Sequence, residues 1–493
     1  MKNNRFKQCR FAGNIRHSKV LLAFTVIMTT LVRCSMGTGD FAATNSDAPI
    51  FPEYYGLTLP PNIAPLNFII KGAGCRYRIE ISSEKGKAIV INQKSPHVEI
   101  PVREWHRLLG SNAGKDLRVD IREYADKQWK RYNVITHHIS ADSIDAFLVY
   151  RLVHAVYLLW RDMGIYQRNL TNFDEIPVIE NSSTDYGCIN CHAFAGRDPS
   201  RMMIHFRLQH DGTLVWNSDS LSVINTKDPS TLSGGVYPSW HPGGKHIAFS
   251  VGKLNPHLTT RSVKTVDVSD KVSDLMIYDL ENRRVITSPR VSTSRRENLP
   301  VWSPDGKYIY FTSAPEAITG DKESRLHAKY DLMRIAFDTQ SNEWGEPEMV
   351  LSSGVTGKSI SMPSISPDGK MMVCAMTDYG YFTIFHKESD LYLVNPATGE
   401  YREMEINSGS AESYSSWSSN GRWLVFSSKR LDEVFTVPHI AYIDSSGNTG
   451  RPFALPQKDP GIYLRTLANF NRPELITGKI ELTPRQIRDA VVR

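Results

Sequence analysis

Short segments in which apolar and polar residues alternate dominate the chain after its first fifty residues. Four such runs begin the pattern: Tyr77–Ile81, Lys87–Ile91, Val98–Val102 and Leu117–Ile121. Alternation with a period of two, interrupted by turn residues, is typical of half-buried β-strands. The strand length and spacing predict a small β-sandwich over residues 51–135, with a structural or interaction role.

The periodicity changes between residues 143 and 173. Apolar residues there recur at the spacing of one helix face: Leu148, Leu152, Val156 and Leu159. The pattern predicts one helix or a bent pair, broken near Gly164, within a helical segment that spans residues 143–200. His154 lies among the apolar residues of this segment, where a packed core histidine and a ligand are the two interpretations.

A repeated unit begins near residue 201 and decides the predicted fold. Its turn occurs as His-Pro-Gly-Gly-Lys, Ser-Pro-Asp-Gly-Lys twice and Ser-Ser-Asn-Gly-Arg, with the shared glycine at Gly244, Gly306, Gly369 and Gly421. Asp in such a turn hydrogen-bonds its own backbone and Gly takes a positive φ. An apolar strand follows each turn and a second strand pair follows that, which makes four strands per unit. Four strands per unit predict a mainly β protein with a five- or six-bladed β-propeller over residues 201–475 and a tail over 476–493.

These Pro-Asp-Gly-Lys units resemble the TolB-like, WD-repeat-like propeller family over roughly residues 200–475. Propellers of this family bind proteins, peptides and glycans, so the resemblance implies a protein partner at one propeller face. It implies no particular chemistry, because one fold supports many functions.

The run Cys188-Ile189-Asn190-Cys191-His192 is the strongest chemical motif in the chain, and it is predicted to lie in a loop over residues 181–196. Two cysteines three positions apart and an adjacent His form the attachment signature of a c-type haem. Cys188 and Cys191 would bond the porphyrin covalently, and His192 would be the proximal ligand of the iron. Three alternatives remain open: a redox dithiol, a metal site that takes further ligands from elsewhere, and a structural motif.

A Cys-x-x-Cys-His motif just before such a propeller resembles a group of exported bacterial lipoproteins labelled cytochrome c or cytochrome c biogenesis-like. The resemblance implies haem c as the cofactor. For the sixth iron ligand, the segment 201–212 offers Met203 and His205, which would share a strand face with Arg207, a candidate partner for a haem propionate. His210 in the following turn is a third candidate. The alternative is that Met202 and Met203 belong to the core and that His205 is exposed or hydrogen-bonded.

The N-terminus has the pattern of an export signal over residues 1–34, followed by a polar tether over 35–50. Six basic residues up to Lys19 precede the apolar run Val20–Val32, which is too short to span a bilayer. The run ends at Leu31-Val32-Arg33-Cys34, which resembles a bacterial lipobox, although Arg33 departs from the small residue usual there. A lipidated Cys34 predicts a protein anchored to a membrane of the cell envelope, in the periplasm or at the outer membrane. A plain cleaved signal and an uncleaved anchor are the alternatives.

The net charge, the remaining cysteines and the search for hydrolase motifs reduce the number of function classes that the sequence supports. The net charge of +6 is accounted for by the signal segment, and the basic residues elsewhere are dispersed, so no nucleic-acid partner is expected. Cys75 and Cys374 are predicted to be two buried free thiols, with a bridge between them as the alternative. No Gly-x-Ser-x-Gly elbow is present, although a glycosidase carboxylate pair stays open. The leading hypothesis is an electron-transfer or redox-sensing haem protein, and the alternative is a non-redox propeller that binds a protein or a glycan.

Overall fold

The computed structural model describes residues 41–154, 162–258, 266–316 and 327–492, and its secondary structure is mainly β. Phe41 to Arg493 belong to one compact unit. The predicted export signal and the lipidation site Cys34 lie outside the described residues. No helix within those ranges is both long enough and apolar enough to cross a membrane.

The N-terminal region consists of two sheets and one helix. Its strands are β1 (Ala42–Ala43), β2 (Ile50–Phe51), β3 (Thr58–Leu59), β4 (Phe68–Ile70), β5 (Arg76–Ser82), β6 (Ile89–Gln93), β7 (His97–Val98), β8 (Asp116–Ala125), β9 (Gln128–Arg131) and β10 (Ile135–Ile139). β2, β4 and β7 form the smaller sheet and the other seven strands form the larger one. Three of the four predicted strands are present, because the runs at Tyr77, Lys87 and Leu117 overlap β5, β6 and β8.

Two expectations for this region were wrong. Helix α1 (Val102–Gly110) follows β7 and buries Trp105, so the run that begins at Val98 is a strand of two residues and then a helix start. The described part of the predicted tether is not a free linker. Ala48 and Ile50 are buried in the core, because β1 and β2 pair with strands of the two sheets.

Six further antiparallel sheets follow along the chain, five with four strands and one with five. Their strands are β11 (Phe147–His154), β12 (Met163–Asn169), β13 (Glu175–Glu180), β14 (Cys188–Phe194), β15 (Arg201–Arg207), β16 (Gly212–Asn217), β17 (Ser220–Ile224), β18 (Val236–Trp240), β19 (His246–Leu258), β20 (Val266–Asp279), β21 (Arg284–Ile286), β22 (Arg296–Trp302), β23 (Tyr308–Ala314), β24 (Asp331–Asp338), β25 (Glu343–Trp344), β26 (Glu348–Leu351), β27 (Ser359–Ile365), β28 (Met372–Thr377), β29 (Asp390–Val394), β30 (Tyr401–Glu403), β31 (Glu412–Trp417), β32 (Trp423–Ser428), β33 (Val437–Tyr442), β34 (Phe453–Ala454) and β35 (Ala468–Ile476).

We number these sheets by their first strands. Sheets 1 to 5 begin with β14, β18, β22, β27 and β31, and sheet 6 combines β35 with β11, β12 and β13. Short helices α2 (Ser353–Thr356) and α3 (Pro484–Val491) and three 3₁₀ turns (Asn181–Ser183, Thr383–Phe385 and Pro460–Leu464) lie between or after them. Adjacent sheets share apolar clusters, which places the core between sheets rather than at a single centre.

The predicted turn chemistry is confirmed in the hairpins that open sheets 2 to 5. In sheet 3, the Asp305 carboxylate accepts from the Ser303 hydroxyl at 2.5 Å and from the Lys307 amide at 3.1 Å. Gly306 follows with φ +73°, a conformation that a side chain disfavours. The same pair of bonds recurs at Asp368 and at Asn420, so the worn fourth copy keeps the geometry of the others.

The predicted helical segment at 143–200 is wrong for the described residues. Leu148 and Leu152 lie in strand β11, and Gly164 lies in β12, which pairs with β11 along its length. Because sheets pack on both sides of this one, β11 is buried on both faces and its apolar residues do not alternate. Irregular apolar spacing of this kind imitates a helical period. Val156 and Leu159 lie outside the described residues.

The boundaries predicted for the repeat region also change. Strand β35 pairs antiparallel with β11, so the repeated sheets begin at Phe147 rather than at residue 201. The residues after 475 are not a tail, because α3 is anchored by a Thr483 capping box and buries Ile487. Residues 254–258 and 266–270 extend the β19–β20 hairpin.

Candidate functional site

The Cys-x-x-Cys-His motif lies in strand β14, the first strand of sheet 1, and not in a loop. Its side chains are buried: Cys188 is 2 %, Cys191 8 % and His192 1 % exposed. β14 pairs with β15, and Arg151 of β11 holds the motif from the neighbouring sheet. The Arg151 Nη1 donates to the Asn190 carbonyl at 3.0 Å and to the Asn190 side-chain oxygen at 2.9 Å.

The motif is a sixth copy of a strand found in every repeated sheet. In sheet 3, the amide of Ser303 donates to Tyr308 and closes the first hairpin, and the amide of Ala195 donates to Arg201 in the same way in sheet 1. Counting four residues back from these amides gives Leu299 and Cys191. The same count in sheets 2, 4 and 5 gives Tyr237, Met362 and Tyr414, and in sheet 6 the strand register gives Arg472. We call these six positions the central residues: Cys191, Tyr237, Leu299, Met362, Tyr414 and Arg472.

The residue after each central residue shows what is unusual in sheet 1. It is Pro238, Pro300, Pro363 and Pro473 in four sheets and Ser415 in a fifth, and it is His192 in sheet 1. In those five sheets the central residue has a positive φ and begins a β-bulge, an insertion of one unpaired residue. In sheet 1 the bulge occurs one residue earlier, at Asn190 and Cys191, without a positive φ.

The pairing of β14 separates the motif between two faces of the sheet. Cys188 is opposite Arg207, whose guanidinium lies 3.9 Å from the sulfur. His192 is opposite Ile204. Directly opposed residues share a face and successive residues of β15 alternate, so the register puts Cys188 on the face of Arg207 and His192 on the face of Ile204. Cys188, at the start of its strand, also contacts the apolar cluster that contains Ile204.

The predicted face of Met203, His205 and Arg207 is confirmed, and it is the face away from His192. Met203 is fully buried and packs between sheets 1 and 2. His205 Nδ1 lies 2.9 Å from the Thr213 hydroxyl, and burial lowers its pKa to about 4. These residues follow the alternative of core methionines and a hydrogen-bonded histidine. His210 lies in the next turn, 2.7 Å from the Asp185 carboxylate.

The arrangement does not fit haem as it stands. A porphyrin bonded to Cys188 and Cys191 and coordinated by His192 needs all three groups on one side of it. Here the first and the last are separated by the sheet, and Met203 and His205 are separated from His192 in the same way. The Arg207 side chain extends toward Cys188 rather than toward His192. Haem attachment stays a prediction, and it requires the Cys188–His192 segment to leave its place in the sheet.

His192 faces Glu474 of β35. The His192 Nε2 has no hydrogen-bond partner among the described residues and lies 3.9 Å from Glu474 Oε2. Burial holds the pKa of His192 well below its usual range, and the charges of Arg472 and Arg151 lower it further. Burial raises the pKa of Glu474 to about 7, against the effects of Arg472, the Phe194 amide and Arg197. The imidazole is therefore neutral, and the carboxyl is partly protonated near neutral pH.

Three arginines around β14 have no anionic partner in the described ranges. No carboxylate oxygen there lies within 4.0 Å of a nitrogen of Arg151, Arg207 or Arg472. Each is only half buried. Arg472 Nη2 donates to the Pro238 carbonyl at 3.2 Å, so a side chain of sheet 6 contacts the backbone of sheet 2. The charge of Arg472 acts on the Glu474 carboxyl, which is partly protonated near neutral pH, so the three guanidinium groups together leave an excess of positive charge.

Two tyrosines complete the cluster. Burial raises the pKa of Tyr414 to about 12, while Arg151 and Arg472 lower it and Cys191 raises it further. Burial raises the pKa of Tyr237 well above its usual range, Tyr414 and Cys191 raise it further, and Arg207 lowers it. Side chains from sheets 1, 2, 5 and 6 therefore meet at one place. Neither phenol hydroxyl has a hydrogen-bond partner among the described residues. We call Cys191, Arg151, Arg207, Arg472, Tyr237 and Tyr414 the cationic cluster.

Sequence reasoning identified Cys191 and Arg207 but missed the rest of this cluster. Arg151 was assigned to a helix, and Arg472 to the end of the repeat region. A signal was available, since Cys191-His192-Ala193-Phe194 and Arg472-Pro473-Glu474-Leu475 have the spacing of Tyr237-Pro238-Ser239-Trp240. Phe194 takes the place of Trp240, and both are buried.

The exposure of Cys75 and Cys374 tests the prediction that both are buried free thiols. Cys374 is a buried free thiol as predicted, but Cys75 is exposed, because the alternating strand begins one residue later, at Arg76. The two do not form a bridge. Across the described residues, no set of three or more His, Cys, Asp or Glu side chains is placed to hold a metal ion.

Comparisons with known proteins give fold-level similarity only. No protein-family model matches the chain, and neither does any curated protein sequence. Among solved structures, the nidogen/laminin complex aligns over 68 % of this chain and 100 % of its own, at 8 % identity and a TM-score of 0.39. The Cps50 (Swd1) β-propeller domain of Myceliophteria thermophila aligns over 65 % of this chain and 91 % of its own, at 10 % identity and a TM-score of 0.30. Prolyl oligopeptidase B from Galerina marginata aligns over 79 % and 53 %, at 10 % identity and a TM-score of 0.34.

Proposed function

We propose that the six repeated sheets are the blades of a six-bladed, TolB-like β-propeller, with the six central residues facing its channel. Consecutive first strands are linked in the same manner: Ser239 Oγ accepts from Trp302 N at 3.0 Å, and Ser416 Oγ accepts from Leu475 N at 3.2 Å. At the equivalent place the Phe194 amide lowers the pKa of the Glu474 carboxyl, which puts the last sheet beside the first. Completion of sheet 6 by β35 is the closure that such a ring needs.

The function that this geometry supports best is binding of an anionic group at the channel. The observation that carries it is the cationic cluster, in which three half-buried arginines lack a carboxylate partner among the described residues. Arg151 and Arg472 each use one donor on a backbone carbonyl of β14 or β18, which fixes their direction. Guanidinium and phenol groups that converge from four sheets suit a carboxylate or a phosphate group.

The test is binding of acetate and of inorganic phosphate to the purified protein, measured by calorimetry and by thermal shift. We expect Arg472→Gln to weaken binding of the anion about tenfold or more, because a charge-assisted contact is lost. Arg334→Gln is the matched control, since Arg334 already pairs with Glu348 at 2.6 Å on an outer strand. Equal binding by wild type and Arg472→Gln, or binding by neither, would refute the proposal.

The haem protein predicted from the sequence is the competing function, and the Cys-x-x-Cys-His motif is what favours it. One spectrum separates the two. The protein is produced in a periplasm with active haem maturation, and its reduced absorbance and denatured haem stain are recorded beside a control cytochrome. A colourless protein beside a coloured control supports the non-redox propeller. Covalent colour that disappears in Cys188→Ala and Cys191→Ala would establish the haem protein instead.

We further propose that the protein is exported and is lipid-anchored at Cys34, on the strength of the N-terminal sequence pattern. An exported location suits a binding module that takes its ligand or protein partner in the cell envelope. Metabolic labelling with a fatty acid analogue and detergent partition of wild type and Cys34→Ala test the anchor. Label in both proteins, or in neither, would contradict acylation at Cys34.

A further inference from the structure

The six central residues divide into two chemically different halves. Consecutive sheets 5, 6 and 1 contribute Tyr414, Arg472 and Cys191, which belong to the cationic cluster. Consecutive sheets 2, 3 and 4 contribute Tyr237, Leu299 and Met362. Tyr237 of sheet 2 belongs to the cationic cluster and also packs against the apolar residues of sheets 3 and 4, so it lies where the two halves of the centre meet.

The second half is continuous with a buried aromatic cluster. Leu299 belongs to an apolar group with Tyr330 and Tyr381, and Tyr237 and Met362 pack against that group. The Tyr237 and Tyr381 rings lie 6.2 Å apart and nearly perpendicular, and the Tyr330 and Tyr381 rings are 5.5 Å apart. Tyr237 and Met362 are only partly buried, so part of this apolar surface stays accessible at the centre.

The polar groups behind this half, unlike the Tyr237 hydroxyl that faces the cationic cluster, are already satisfied. The Tyr381 hydroxyl donates to Asp270 at 2.8 Å, and the Asn298 amide donates to the other Asp270 oxygen at 2.5 Å. No donor of these residues is left to attract a second anion. The half therefore offers apolar contact, whereas the cationic cluster offers charge.

We infer that the centre binds a small amphipathic anion, with its charged group against Arg472 and Arg151 and an apolar body along Leu299, Met362 and Tyr237. This inference rests on the proposed anion-binding function and adds the class of ligand. Carboxylate and phosphate head groups share the required chemistry. The apolar body distinguishes such a ligand from a free inorganic ion, because burying it gains affinity with each methylene.

The experiment measures calorimetric binding of acetate, butyrate, hexanoate, hexyl phosphate and hexanol to the full mature protein. We expect affinity to rise up to about fourfold per methylene from acetate to hexanoate. Hexanol should bind far more weakly than hexanoate, and Arg472→Gln should lower hexanoate binding to about the hexanol level. Comparison of hexanoate with hexyl phosphate assigns the head group.

The apolar half is tested by Met362→Ser, which should flatten the dependence on chain length without changing acetate binding. Met362→Leu restores an apolar side chain of similar volume and should restore the dependence, which separates loss of contact from loss of fold. Thermal melts of both variants verify that they fold.

The outcomes separate this inference from the proposed function. If acetate and hexanoate bind equally and Arg472→Gln weakens both, the anion site stands and the apolar body is refuted. If no anion binds, both fail. If a short peptide with a C-terminal leucine binds more tightly than hexanoate and depends on Arg472, the ligand is a peptide terminus and the small-molecule class is overturned.

Discussion

Sheets 1 and 3 have the same first strand and different chemistry on it. In sheet 3, Leu299–Trp302 places an apolar residue at the centre, follows it with a proline and ends with a buried aromatic ring. In sheet 1, Cys191–Phe194 keeps the aromatic position, but it has a thiol at the centre and an imidazole where the proline would be. The comparison shows that a sequence motif with one strong chemical meaning also fits a repeat of the fold. It also shows where sheet 1 departs from its relatives, because its bulge is displaced by one residue.

The largest expected effect comes from removing the strand that makes sheet 6 equivalent to the others. Deletion of residues 468–493 leaves β11 paired with β12 alone and removes Leu475 from the core that it shares with Trp423. We expect loss of cooperative unfolding and poor solubility, measured by thermal circular dichroism and by sedimentation. Deletion of only 484–493 is the control and should lower Tm while a cooperative transition remains. An unchanged melt after the longer deletion would show that sheet 6 does not need its last strand.

The equivalence of sheets 1 and 3 is tested most directly at the aromatic position. Phe194 and Trp302 are 6 % and 4 % exposed at matching places. Phe194→Ala and Trp302→Ala should each lower the free energy of unfolding by about 3 to 5 kcal/mol, because each leaves a large cavity between sheets. Urea denaturation measures both, with Tyr401→Ala as an exposed control. A loss for Trp302→Ala alone would mean that β14 is not packed as its relatives are.

The contact between sheets 6 and 1 should make stability depend on pH. Folding raises the pKa of Glu474 from its ordinary 4.5 to about 7. Between those values the folded protein holds a proton that the unfolded chain has released, so this residue's contribution to stability falls as pH rises from about 4.5 to 7. Glu474→Gln should remove that part of the dependence. Urea midpoints across this pH range in both proteins test it, and parallel curves would contradict the assignment.

The smallest expected effect is a difference in thiol reactivity between the exposed Cys75 and the buried cysteines, two of which lie in sheet 1. The experiment uses a chain that begins after Cys34, in which Cys75 is exposed and Cys188, Cys191 and Cys374 are buried, so only Cys75 of these four should react rapidly with a thiol reagent in the native state. The other three should react on the time scale of unfolding. Cys75→Ser should remove the fast phase and leave stability nearly unchanged. A fast phase that survives this substitution would show that β14 opens in the native protein, which would favour haem attachment.

Much of the sheet region was predictable from sequence, for a local physical reason. The Ser-Pro-Asp-Gly-Lys hairpins encode their own turns, so Asp305 and Gly306 specify the geometry without help from distant residues. The sandwich strands were predictable for a similar reason, because one face of each is buried and the pattern alternates. By contrast, β11 is buried on both faces and lost the alternation that identifies a strand.

The candidate site was predictable only in part, because its residues meet through long-range pairing. Arg472 and Arg151 lie in paired strands that are far apart in sequence, and no local pattern announces that β35 returns to β11. The orientation of His192 depends on a bulge one residue away from its usual place. A displacement of one residue moves every later side chain to the other face, so a motif match could not settle which groups converge.

Sheet 6 combines strands from the two ends of the repeated sheets, and this origin has a consequence for biogenesis. Strands β11 to β13 emerge during synthesis before sheets 1 to 5, and β35 emerges after them. An exported chain that crosses a membrane from its N-terminus would therefore present an open sheet edge until the final segment arrives. Such an edge pairs readily with other chains. Export of this chain, as proposed above, would therefore call for an envelope chaperone that protects the edge until β35 has crossed.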